Sequence, residues 1–294
     1  MSEEDETRPK PHERLFWRKL ALLGATKGPS WWVRYSPPVF GWAAAALVPS
    51  ARHAVQRNLK RIRGTVNPVQ DTRDVLETFG TYASCLAEVL ANEAPGGPPP
   101  SFARIHGELW VRRAVAENKG VILCTVHSAG WDSAGPMFAK HLALEVTIVM
   151  QPEPDQRARR LQDHAREVAG VRVAHVGDDP LASLQLLHHL KDGGAVALQI
   201  DRAAPGMRTR RVRLLEQDFD MPEGPLRLAQ ASGAPLLPVF CARTGHREYL
   251  LEAFPATHIA RQSTEADLDA AAQALADRVG SFLRAHPTQW FNFK

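Results

Sequence analysis

From Asn118 onward, short apolar runs alternate with helix-length amphipathic stretches, and that alternation restricts the chain to a mainly parallel sheet covered by helices. The turn Asn118-Lys119-Gly120 leads into a strand over 121–126. A strand over 146–150 precedes a helix over 155–169, and one over 171–176 precedes a helix over 180–191. Gly193-Gly194 opens a strand over 195–200, a helix over 223–232 leads to a strand over 236–242, and residues 248–254 pair back as a hairpin. A helix over 107–117 stands before the first run, and one over 265–285 follows a capping-box pattern, Thr264-x-x-Asp267. The expected fold class is α/β: a single largely parallel or mixed sheet flanked by helices on both faces. In such sheets sites form at the carboxyl ends of the strands.

The front of the chain reads differently. Ser50 starts a helix with Val55, Leu59 and Ile62 on one stripe, ending at Gly64. Asp71 starts another with Val75, Phe79, Leu86 and Leu90. Pro95-Gly96-Gly97-Pro98-Pro99-Pro100 then breaks the pattern, which divides the chain into a helical region over 1–94 and an α/β domain over 101–294. Residues 8–73 carry 13 Lys/Arg against Glu13 and Asp71 alone, although the whole chain is only +4. Trp17, Trp31, Trp32 and Trp42 lie in the same stretch with Phe16, Tyr35 and Phe40. Cations beside indole rings suit an anionic membrane interface. A solvated basic face over buried aromatics is the plainer alternative. Nucleic acid is not expected, because the aromatics are mixed with aliphatics rather than set out on a polar platform. Arg34 and Pro37-Pro38 interrupt the least polar window and leave ten apolar residues, 39–48. As a helix these rise about 15 Å, half a bilayer core of about 30 Å. The expectation is a helical membrane-associating segment, monotopic or re-entrant, on the cytoplasmic face of the inner membrane.

Three widely spaced cysteines, Cys85, Cys124 and Cys241, support neither a disulfide framework nor a zinc site, and residues 1–14 do not open a secretory signal. No metal is expected: His188-His189 sit near a helix end without an acidic partner nearby. The sharper signal is His127-Ser128-Ala129-Gly130-Trp131-Asp132. Twelve histidines and 32 acids in 294 residues give about one His-x4-acid spacing by chance, and this chain has one. Its context adds weight, because the histidine directly follows an apolar strand and Ser-Ala-Gly lets the backbone turn. Asp132 is then expected to orient the imidazole as a general base. The plain alternative is a helix-capping Asp beside an incidental His.

Around this motif the chain resembles the bacterial late lipid A acyltransferases of the lauroyl/myristoyl type, within the lysophospholipid acyltransferase superfamily. The resemblance rests on ordered blocks over roughly residues 105–294. They are Asn118-Lys119-Gly120-Val121-Ile122-Leu123 with His127 to Asp132; Leu190-Lys191-Asp192-Gly193-Gly194; Gln199-Ile200-Asp201-Arg202; Gly224-Pro225-Leu226-Arg227; Pro235-Leu236-Leu237-Pro238-Val239; and Pro287-Thr288-Gln289-Trp290. The chain departs from the family at Gln151-Pro152, where Arg-Pro is usual, and at Ile200-Asp201-Arg202, where an Asp-Gln-Asp type is usual.

The resemblance implies acyl transfer from a thioester, acyl carrier protein or acyl-coenzyme A, to a hydroxyl or amine of a membrane lipid of lipid A or lysolipid type, with no further cofactor. His127 is the implied base and Asp132 its partner. The backbone over 128–130 would supply oxyanion donors, with Ser128, Gly130 and Trp131 as substrate contacts. Arg166, Asp201 and Arg202 are implied head-group contacts, and Arg208, Arg210, Arg211 and Arg213 could grip phosphates or form a solvated loop. Two rivals stand beside this reading: a Cys124–His127 acyltransferase or hydrolase, and a silent membrane-binding scaffold.

Overall fold

The computed structural model describes residues 24, 28–93, 103–132, 136, 141, 144–150, 171–175, 182–204 and 206–293. The expected helix over 155–169, with Arg166, lies outside these residues.

Seven strands form one sheet in the order β1-β9-β8-β2-β5-β3-β4. They are β1 (Ala103–His106), β2 (Val121–Thr125), β3 (Val146–Met150), β4 (Val171–His175), β5 (Ala195–Gln199), β8 (Leu236–Gly245) and β9 (Glu248–Ala253). Every pairing is parallel except β8 with β9, the expected hairpin. Strand β2 shows why both faces are covered. Ile122, Cys124 and Val126 enter one apolar cluster, and Val121 and Leu123 enter another. Alternate side chains point to opposite faces, so a strand that is apolar at every position needs partners on both.

The first cluster is closed by α6 (Gly224–Ser232) and α7 (Glu265–Ala285), the second by α4 (Glu108–Ala116). Helix α5 (Ala182–Lys191) precedes β5 and delivers Leu190 to the first cluster. At the start of α7 the Thr264 hydroxyl accepts from the Asp267 amide while the Asp267 carboxylate accepts from the Thr264 amide, the reciprocal cap its sequence announces.

One element departs from the sequence reading. The arginine-rich stretch after Asp201 forms a hairpin, β6 (Thr209–Leu214) and β7 (Gln217–Pro222), with Leu215 and Glu216 at positive φ of 52° and 64°. Its arginines are ion-paired. Arg210 is buried against Glu223, Glu265 and Asp269, Arg211 pairs with Asp218 and Asp220, and Arg213 pairs with Asp218. Of the arginines expected at a phosphate, Arg210 is thus buried in an ion-pair cluster, while Arg211 and Arg213 pair with carboxylates on the surface.

The front is a set of helices: α1 (Ser30–Leu47), α2 (Pro49–Arg63) and α3 (Pro68–Glu93). Helix α1 runs through Pro37 and Pro38 and buries a narrow stripe, Pro37, Gly41 and Ala45. A β-carbon on Gly41 would sit 2.3 Å from the Phe79 carbonyl oxygen, so glycine lets α1 lie directly on α3. The rest of α1 exposes Trp31, Trp32, Tyr35, Val39, Phe40, Trp42 and Leu47. Among the described residues no helix is long and apolar enough to cross a membrane.

Candidate active site

Strands β2 and β5 are parallel neighbours with Thr125 opposite Gln199, and the Ile200 amide donates to the Thr125 carbonyl at 2.8 Å. Two residues beyond each strand end, His127 and Asp201 therefore emerge side by side at the carboxyl edge of the sheet. His127 Nδ1 lies 2.8 Å from Asp201 Oδ1, and the His127 amide also reaches the carboxylate, at 3.2 Å and 3.1 Å from its two oxygens. The Asp201 side chain is fully buried and that of His127 is 27% exposed. With Nδ1 engaged as donor, Nε2 is the nitrogen left to take a proton.

The expected partner was Asp132. The structure gives the Nδ1 hydrogen bond to Asp201 instead, because a neighbouring parallel strand delivers a carboxylate in register, whereas Asp132 is exposed in the helical turn after the loop. Asp201, expected among the substrate contacts, is thus the hydrogen-bond partner of His127. Burial by itself would raise its carboxyl. The facing His127 charge and hydrogen bonds from His127 and the Trp290 indole outweigh burial and hold it below the usual carboxylate range.

The chain after α7 straps this pair down. Trp290 Nε1 donates to Asp201 Oδ2 at 2.8 Å, the Phe291 amide donates to the His127 carbonyl at 2.7 Å, and Asn292 Nδ2 donates to the Asp201 carbonyl at 3.4 Å. Ser128 and Trp290 form an antiparallel bridge. Arg202, expected at the substrate, donates from one terminal nitrogen to the Phe291 carbonyl at 3.2 Å. The Trp290 block was legible as a motif, but nothing in its spacing said which side chain it serves.

The loop over 128–130 is partly engaged within the fold. The Ser128 amide already donates to the Val126 carbonyl at 2.8 Å, and the Gly130 amide points at the Cys85 sulfur. Gly130 holds φ of 80° with the Tyr249 ring directly beneath it. Of the three expected donors, the Ser128 amide is thus engaged by a backbone carbonyl. Trp131, expected at the substrate, is 6% exposed and packed in the second core cluster, where its large apolar surface leaves water. The Ser128 hydroxyl is buried, with no hydrogen-bond partner among the described residues.

Cys124 is fully buried in β2, and burial pushes its thiol far above the ordinary range, so it is a core residue. Among the described residues no group of His, Cys, Asp and Glu could hold a metal ion. A cleft of about 810 Å³ opens between α1 and α3, lined by Pro38, Trp42, Leu76 and Arg243 among others, and none of residues 127–132 is in its wall.

The family model described as bacterial lipid A biosynthesis acyltransferase matches residues 4–294. Phosphatidylinositol mannoside acyltransferases from two strains of Mycobacterium tuberculosis are 30% identical over 178 residues, covering 60% of this chain and 54% of theirs. The match thus spans about half the length of those relatives. The corresponding protein of Mycolicibacterium smegmatis is 28% identical over 246 residues, 80% of this chain and 76% of that one. Among solved structures, the 1-acyl-sn-glycerophosphate acyltransferase of Thermotoga maritima aligns over 92% of this chain and 99% of its own at 13% identity, with a TM-score of 0.41, too distant a likeness to bear on the chemistry.

Proposed function

Because this chain belongs to the bacterial lipid A biosynthesis acyltransferase family, we propose that it moves a fatty acyl group from a thioester onto a hydroxyl of a sugar-bearing membrane lipid. The observation that carries the reading is the contact between His127 Nδ1 and the buried Asp201 carboxylate. The acceptor class follows from the relatives, whose names specify lipid A and phosphatidylinositol mannoside. The donor is a fatty acyl thioester of acyl carrier protein or coenzyme A.

His127 Nε2 takes the proton from the acceptor hydroxyl as its oxygen attacks the thioester carbonyl carbon. Asp201 remains ionised and balances the imidazolium that forms, while its hydrogen bond keeps the proton on Nδ1 and the lone pair on Nε2. The Ala129 amide is the backbone donor assigned to the oxyanion. Collapse expels the thiolate, which receives the proton from Nε2, so the enzyme returns to its starting state. A thioester is already activated, and no acyl-enzyme is required. The burial of Cys124 argues against the thiol route, and the intact His–Asp pair argues against a silent scaffold.

The exposed aromatic face of α1 supports a reaction at a membrane surface, the cytoplasmic face of the inner membrane in this reading. Side chains such as Trp31, Tyr35 and Phe40, each about three-fifths exposed, gain when they enter the interface.

The test is single-turnover transfer of a radiolabelled acyl group from each thioester to extracted membrane lipids. Wild type should label a glycolipid and His127→Ala should not. A labelled protein that depends on Cys124, or undiminished transfer by His127→Ala, would overturn the mechanism.

A further inference from the structure

Glu88 is 3% exposed, and the mechanism above makes no use of it. It sits on α3, in the helical front rather than the α/β domain. A buried carboxylate is costly unless its oxygens are satisfied, and here both are. Oε1 accepts from Arg243 Nε at 3.1 Å, from an Arg243 terminal nitrogen at 2.7 Å and from the Arg247 amide at 3.1 Å. His246 Nδ1 stands 3.4 Å away. Oε2 accepts from the Tyr249 hydroxyl. Arg243 alone would neutralise the charge, so the tyrosine contact adds something else: it fixes the ring.

That ring lies under the turn that carries the base. A β-carbon on Gly130 would fall 2.0 Å and 2.1 Å from two carbons of Tyr249, and Gly130 is held at φ of 80°. Cys85, three residues before Glu88 and hence on the same helix face, lies near the Gly130 amide. Helix α3 thus reaches the turn through Glu88 and Tyr249, with Cys85 beside it.

We infer that Glu88 is a positioning residue for acyl transfer, fixing the Tyr249 ring against Gly130 so that the loop over 127–130 holds His127 and the Ala129 amide at the reacting atoms. The inference rests on the proposed transfer reaction for its catalytic consequence but not for its structural one. Displacement of a reacting group by an ångström can cost about a hundredfold in rate, so a loosened turn should be read in kcat while KM stays unchanged.

The experiment compares Tyr249→Phe, Glu88→Gln and Glu88→Ala with the full-length wild type by hydrogen exchange of the peptide over 127–132 and by transfer kinetics. Tyr249→Phe keeps the ring and its packing, so it tests the idea even if the Glu88 variants do not fold. Exchange in the loop should rise at least about threefold, and kcat should fall about tenfold at constant KM. Glu88→Gln, which can still accept from Tyr249, should retain more activity than Glu88→Ala. Adding Tyr249→Phe to Glu88→Ala should cost little more, because the two act as one unit. Unchanged loop exchange in folded Tyr249→Phe overturns the inference, whatever the rate does. Faster exchange in a protein whose wild type transfers nothing would sink the proposed reaction and leave the positioning intact.

Discussion

His127 and Asp201 are 74 residues apart in sequence and 2.8 Å apart in space, because each stands two residues beyond the end of one of two paired parallel strands. The relationship places the imidazole at the carboxyl edge of the sheet, with its partner carboxylate shut away from water.

The first consequence concerns the two acids near the histidine. Asp201→Asn removes the acceptor that holds the Nδ1 proton, and transfer should fall by about 10²–10⁴-fold, the usual range for loss of general-base function. Asp132→Asn leaves that hydrogen bond in place and should cost less. Rates of both folded variants in the single-turnover assay decide between them, and a larger loss in Asp132→Asn would return the orienting role to the residue that the spacing first suggested.

Acid should expose the cost of keeping Asp201 ionised. Its carboxyl is lower in the folded chain than in the unfolded one, so the stabilisation is complete above about pH 4 and is lost as pH falls through the folded value. Denaturant midpoints between about pH 5 and pH 3 should decline less for Asp201→Asn than for wild type, since the variant has no proton to take up there. Parallel curves would mean that the carboxylate contributes nothing to acid stability.

Trp290→Phe keeps an aromatic ring but deletes the indole donor to a buried carboxylate. The loss should be about 1–3 kcal/mol in stability. Asp201 should then titrate at a higher pH, moving acid unfolding upward. Urea melts at neutral and acid pH would show both effects, and a variant equal to wild type at each pH would remove Trp290 from the account of the site.

Helix α1 yields a prediction about membranes. Replacing Trp31, Tyr35 and Phe40 by Ala removes three exposed rings that touch little of the protein's own core. Entry of such a side chain into an apolar environment contributes about 1.5–3 kcal/mol when complete, so binding to anionic vesicles should weaken at least tenfold while thermal stability barely changes. Flotation with and without high salt provides the measurement, and undiminished flotation of the triple variant would place the membrane contact elsewhere.

Cys124→Ala should retain activity within about threefold and lose about 1 kcal/mol of stability through the small void left in β2. Transfer abolished by this change in a folded protein would revive the thiol mechanism.

Much of this architecture is legible in the chain. The apolar runs mark β2, β3, β5 and β8 because each is buried on both faces, and the capping box of α7 is written in Thr264 and Asp267. The hairpin β6–β7 is not legible. Its alternation places Arg210, Val212 and Leu214 inside and Thr209, Arg211 and Arg213 outside, so the buried arginine disguises a period-two strand as a basic loop. The dyad is half legible. His127 and Asp201 both stand out as polar residues at strand ends, but their meeting depends on β5 lying next to β2, and strand order leaves no periodic trace. Glu88 and Tyr249 gave no signal, since a helical acid and a strand tyrosine are ordinary until a fold brings them together.

The strap described above also bears on the order in which the protein becomes itself. Trp290 reaches Asp201 across 89 residues of chain that leave the ribosome later than the aspartate does. Until that stretch is made, the Asp201 carboxylate lacks its indole donor and the His127 carbonyl its amide. The later-made stretch, residues 287–293, thus completes the hydrogen bonding of a pair whose two members both precede it in the chain.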